Sequence, residues 1–247
     1  MQLLLDHNAD TDACDSSGRT PLHWAAANGH VEVSQMLLER IADVNTRTVN
    51  GSTPLLLSLQ YGTPDVVQLL LEHNADLYVR NNYGHSALHC TVLGGQLGVA
   101  RLLLELNVDV NSRDDHRSTP LLIASECGTL DVVKLLLDHN ADLYVHDNDG
   151  DTPLHCAAIG GRLDVVRFLL ELNVDVNSRN EKGSTPLHLA SAGYSNQDEG
   201  GHPDIVRLLL DHGADAQARN LGGETVSEVA CGPKKQEVVR LLSQHAA

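Results

Sequence analysis

Residues 147–179, DNDGDTPLHCAAIGGRLDVVRFLLELNVDVNSR, constrain the fold more than any other feature, because nearly every other segment of the 247-residue chain can be laid over these 33 in phase. Asp147, Asn148, Asp149 and Gly150 carry turn chemistry: short Asx side chains that fold back on their own backbone, then a glycine that accepts φ > 0. Thr152 ahead of Pro153 predicts a helix start, a hydroxyl capping orphan N–H groups and a proline where no donor is missed. The small Ala157 and Ala158 let that helix approach a neighbour closely, and Gly160-Gly161 is expected to end it in the left-handed C-cap conformation. Val165, Val166, Leu169 and Leu170 recur at helical spacing as the apolar stripe of a second helix, which Asn173 stops. A helix pair this short cannot bury its stripe alone, so stacking on copies of itself is what stabilises it.

Complete units run over residues 15–47, 48–80, 81–113, 114–146, 147–179 and 180–219. The first five have 33 residues each; the sixth has 40, because YSNQDEG at 194–200 follows the Gly193 that ends its first helix. TPLHCAA, the GG after it, the LL run and NVDVN resemble the ankyrin repeat, and that resemblance spans essentially the whole chain. It implies an all-α solenoid of stacked helix-turn-helix pairs joined by hairpin loops, read here as one domain over 1–247. Residues 1–14 match only the second helix and exit of a repeat. They predict either a protein that continues upstream or an end that frays at Leu3, Leu4 and Leu5. Residues 220–247 keep the turn and a second helix but replace TPLH by TVSE, and Glu237, Arg240, Ser243 and Gln244 make them a polar closing cap.

A second period overlies the first. Units 48–80 and 114–146 share 20 of 33 residues and units 81–113 and 147–179 share 21, whereas the adjacent units 114–146 and 147–179 share 14, so the duplicated block here is 66 residues. One hairpin departs from pattern. Arg117 stands where Gly18, Gly51, Gly84, Gly150 and Gly183 stand elsewhere, which puts that turn in doubt, since non-glycine residues seldom take φ > 0.

Composition narrows the function. A formal charge of −16 argues against nucleic acid and anionic membrane surfaces and favours a basic or neutral partner. Cys14, Cys90, Cys127, Cys156 and Cys231 are spread out, odd in number and without CxxC, which indicates neither a disulfide framework nor a zinc ribbon and leads us to expect a reducing, intracellular, cytoplasmic setting. No apolar run approaches the ~20 residues of a membrane span.

Histidines recur by period. His23, His89, His155 and His188 belong to the TPLH-type motif, where the resemblance implies a bond to the motif Thr. His7, His73, His139 and His212 close second helices, where a cation suits the helix dipole. No ligand spacing for a metal appears, no GxSxG and no P-loop. Cys90 and Cys156 follow motif histidines but point about 100° away from them. Neither cofactor nor catalysis is expected.

The resemblance places binding at hairpin tips and on the exposed side of first helices, that is, positions two, three and five of each unit and the end of helix one. The candidates are Ser17, Arg19, Asn50, Tyr61, Asn82, Tyr83, His85, Asp115, His116, Asn148, Asp149, Asp151, Glu181 and Lys182. They differ even between the near-identical units 81–113 and 147–179, where Tyr83 and His85 face Asp149 and Asp151; turns that drift freely account for this as well as recognition does. Trp24 is assigned to the core by its counterparts Leu57, Cys90, Ile123 and Cys156. Arg47, Arg80, Arg113, Arg179 and Arg219 form a ladder assigned to surface salt bridges with the next hairpin's Asp or Asn. LLLELNVDVN at 102–111, nearly repeated at 168–177, also resembles the leucine-to-asparagine spacing that asparaginyl hydroxylases act on. The function expected is reversible protein binding by a monomer; the alternative is a regulatory or substrate-targeting segment of a larger multidomain protein.

Overall fold

The computed structural model describes the chain except residues 1, 2, 4, 5, 8, 41, 42, 128, 194–199, 246 and 247. Leu4, Leu5 and all of the insertion but Gly200 therefore lie outside the described residues. Apart from an isolated bridge between Arg219 and Thr225, the described residues hold helices and turns and no strand.

Two compact units divide the chain, Met1–Asp115 and His116–Ala247. In the first, helix pairs α1 (Pro21–Ala27) with α2 (Val31–Leu38), α3 (Pro54–Tyr61) with α4 (Pro64–Glu72), and α5 (Ala87–Leu93) with α6 (Leu97–Glu105) follow one another. First helices pack in a row, α1 on α3 and α3 on α5, and α2 packs on α4 behind them. The second unit repeats this arrangement with α7 (Pro120–Cys127), α8 (Leu130–Asp138), α9 (Pro153–Ile159), α10 (Leu163–Glu171), α11 (Pro186–Ala192) and α12 (Pro203–Asp211). It ends in the short α13 (Val226–Val229) and α14 (Lys235–His245), the latter packed on α12.

The starts of the first helices follow from capping chemistry. Thr152 is extended at φ −85°, and its hydroxyl and backbone N–H both engage Nδ1 of His155, at 2.9 and 3.3 Å. Thr20 with His23, Ser86 with His89 and Thr185 with His188 repeat this capping box, so the motif imidazole replaces the usual glutamate. Because Nδ1 accepts, Nε2 carries the proton. It donates to the carbonyl of Ser52 from His23 and to that of Ser184 from His155, tying each helix to the next hairpin at 3.2 and 3.1 Å.

The glycine pair at the end of α9 divides its labour. Gly161 takes the left-handed conformation, φ +69°, as expected, but Gly160 stays right-handed at φ −68°. Gly160 is there for proximity, since a Cβ would run into the Glu126 carbonyl. In each unit the core lies between first and second helices: Leu22, Leu55 and Leu88 in the first and Leu121 and Leu154 in the second are at most 2% exposed, and Val66 and Leu103, or Leu136 and Leu169, close it from the second helices. Second helices end on Asn74, Asn107, Asn140 and Asn173, all at positive φ. His73, His139 and His212 donate from Nδ1 to the carbonyl four residues back.

Candidate functional site

Hairpin geometry starts at position one of each unit. Asp147 accepts from the N–H groups of Asp149 and Asp151 at 2.9 Å each, and Asp15, Asn81 and Asn180 hold their own turns in the same way. Arg117 does adopt the left-handed conformation, φ +61°, so its turn closes like its glycine counterparts at the expense of strain.

Successive hairpins are stitched edge to edge by a backbone bond that the sequence does not announce. The position-two N–H donates to the position-three carbonyl of the preceding hairpin: Val49 to Ser17 and Asn82 to Asn50 in the first unit, Asn148 to His116, Glu181 to Asp149 and Leu221 to Lys182 in the second, all between 2.8 and 3.0 Å. Position three therefore points outward and position five turns back under its neighbour. Asp151 is a correction on this ground. Expected at an exposed tip, it is 8% exposed and accepts from Asn180 Nδ2 at 2.8 Å. Burial raises its pKa to about 6. His85 is likewise drawn in, its ring stacked on His89 at 5.7 Å and 3.4 Å from the buried Asp114 carboxylate.

In the first unit the hairpins and the ends of α3 and α5 enclose a groove of about 470 Å³. Ser17, Arg19, Asn50, Tyr61, Tyr83 and His85, six of the candidates, meet there. Tyr61 is 53% and Tyr83 51% exposed, and Val49 and Leu93 add apolar surface to the same groove. Trp24 does not line this groove but packs against Arg19, which does, and is 48% exposed rather than in the core. Its counterparts fit between packed helices; the larger indole instead lies over its own hairpin, with Nε1 donating to Asp15 at 3.2 Å and the Arg19 guanidinium 4.8 Å from the ring.

The second unit has a groove of about 780 Å³ that gathers Asp149, Asp151 and Lys182. Ile159, Leu189, Ala192 and the exposed Leu221 line it with apolar surface, together with Glu224. Asn82, Asp115, His116, Asn148 and Glu181 are exposed but line neither groove. Sequence reasoning passed over Leu93 and Leu221, although Leu93 ends a first helix and Leu221 holds position two of its unit; each is a large apolar side chain at an exposed position, 40% and 78% accessible.

The arginine ladder also differs from expectation. Arg80 Nη1 donates to the carbonyls of Gly84 and Arg113 at 2.7 Å, Arg47 to that of Arg80 at 2.6 Å, and Arg179 to those of Gly183 and Arg219. These three guanidiniums hold carbonyls, whose directionality suits the fork, while Arg219 both donates to the Gly223 carbonyl at 2.6 Å and lies 3.9 Å from the Glu228 carboxylate. Asn177 is similarly engaged, Nδ2 donating to the Gly213 carbonyl at 3.1 Å and Oδ1 accepting from Asp215 at 2.8 Å.

Burial pushes the Cys90 thiol up to about 12 and raises that of Cys156 well above its ordinary value, so both stay protonated at neutral pH. No group of three His, Cys, Asp or Glu able to hold a metal occurs among the described residues, and none of their helices is long and apolar enough to cross a membrane.

Comparison with known proteins agrees with this geometry. The family described as ankyrin repeats (3 copies) matches residues 1–48, 41–114 and 107–180, and a single ankyrin repeat matches 182–221. The crystal structure of the human ASB11 ankyrin repeat domain is similar over 90% of this chain and 98% of its own, at 26% identity and a TM-score of 0.75. The ankyrin repeat domain of Bcl-3, a member of the IkappaB protein family, is similar over 91% of this chain and 100% of its own, at 27% identity and a TM-score of 0.66. No curated protein matches.

Proposed function

The chain belongs to the ankyrin-repeat family, a general protein-interaction module, and from that premise we propose that it holds a segment of another protein in the groove of its first unit and carries out no chemistry itself. The observation that supports this reading is the gathering of Tyr61, Tyr83, Val49, Leu93 and Arg19 on one groove, with Trp24 against Arg19. Tyrosine, tryptophan and arginine are the residues that carry binding energy at interfaces, because each buries a large, stiff surface while keeping a polar end satisfied. Here Tyr61, Tyr83 and Trp24 stand about half exposed, with Arg19 partly buried, on a scaffold whose cohesion comes from leucines elsewhere. The surplus of negative charge weights the partner toward basic or neutral sequences. Free cysteines fit a reducing, intracellular compartment, and the chain acts as a monomer.

Short peptides selected from a displayed random library on the full chain test the reading. Tyr61→Ala and Tyr83→Ala are each expected to weaken the selected peptides by at least about tenfold, a typical hot-spot loss. Tyr78→Ala, an equally simple truncation of a tyrosine that is 75% exposed away from the groove, is expected to leave them unchanged. Equal losses at all three positions, or none at any, refute the proposal.

A further inference from the structure

We propose that the groove of the second unit is a separate subsite that takes a lysine or arginine side chain flanked by apolar residues in an extended segment of a partner protein. The inference rests on the family's role as a protein-binding module but not on which residues of the first unit bind.

Two observations carry it. The first is charge. Asp149, Asp151 and Glu224 line the groove with a single cation, Lys182, whose Nζ lies 3.3 Å from Asp149 Oδ1 and is already paired there. Asp151, turned in and 8% exposed, is met by the neutral amide of Asn180. A buried carboxylate met directly only by a neutral amide, with Lys182 acting on it from its place beside Asp149, is costly, and a basic group brought by a ligand relieves that cost. The rise of its pKa to about 6, caused by burial and opposed by the Asn180 bond, is the mark of that deficit.

The second is apolar surface: Ile159, Leu189, Ala192 and the exposed Leu221 line the same groove and take apolar side chains on either side of the cation. Carboxylates and apolar lining together match one basic residue within an apolar peptide.

Display selection on the full chain, followed by fluorescence polarisation with the selected synthetic peptides, tests this. One class of peptides is expected to carry a basic residue between apolar ones. That class should weaken by at least about tenfold both on Asp151→Asn and on replacing its arginine by uncharged citrulline, and should keep its affinity on Tyr61→Ala. Asp151→Asn preserves shape and the acceptor for Asn180. Should it nonetheless lower the helical melt, Asp149→Asn combined with Glu224→Gln, both at exposed positions, is expected to give the same loss. Peptides that respond to Tyr61→Ala while none responds to the acidic variants leave the first groove standing and overturn this subsite. Acid-dependent peptides that tolerate citrulline overturn it too, and the absence of any binder overturns both readings.

Discussion

At the scale of single residues, what a position does depends on which neighbour overlies it. Arg117 was legible: the fourth position of every other hairpin is glycine, and the arginine does take φ +61°. Arg117→Gly is therefore expected to raise stability by about 0.5–1 kcal/mol, the strain of a left-handed side chain less the entropy glycine loses on folding. A calorimetric melt that moves down, or not at all, contradicts this. Asp151 was not legible, because spacing places it with Arg19 and His85 but cannot say how far the next hairpin covers it. Two buried groups give opposite pH signatures. Burial lowers the His155 pKa from 6.5 to about 4, so the neutral ring stabilises the fold fully above pH 6.5 and that stability, about 3 kcal/mol, is lost as pH falls toward 4. For Asp151, raised from 3.8 to about 6, the penalty is present above pH 6 and relieved as pH falls toward 4. Denaturant melts should thus show Asp151→Asn more stable than the parent at pH 7.5, with the gap closing by pH 4.

Individual elements were read well where covalent and capping chemistry dictates them. Thr-Pro starts, left-handed glycines and helix-ending asparagines are local properties, and the structure has them at Thr152-Pro153, Gly161 and Asn173. Contacts between elements were read less well. Trp24 and the arginine ladder were misplaced because their partners, a hairpin carboxylate and backbone carbonyls, depend on side-chain reach rather than on period. Packing between first helices has a sharp test. Leu154→Ala should cost about 2–5 kcal/mol in a urea melt, as a fully enclosed leucine does, while Gly160→Ala should cost stability without removing any apolar contact, because its methyl meets the Glu126 carbonyl. A neutral Gly160→Ala would show that the helix rows are not held that closely.

For the molecule as a whole, self-similarity decided the fold and left the partner open. Thirty-three-residue periodicity implies stacked helix pairs, and periodicity is by nature silent about the positions that break it. Those positions are what distinguish the two grooves: tyrosines and an arginine in the first unit, carboxylates with an apolar lining in the second. Six candidates converge in one groove and three in the other, a division that follows from how hairpins overlap and not from their spacing. The central claim is that the groove between hairpins and first helices is where a partner lies. Amide hydrogen exchange of the full chain, with and without a selected peptide at saturation, measures it most directly. Slowed exchange confined to the hairpins and first-helix ends of one unit is predicted, with the second helices unchanged; protection centred on the second helices would contradict the account.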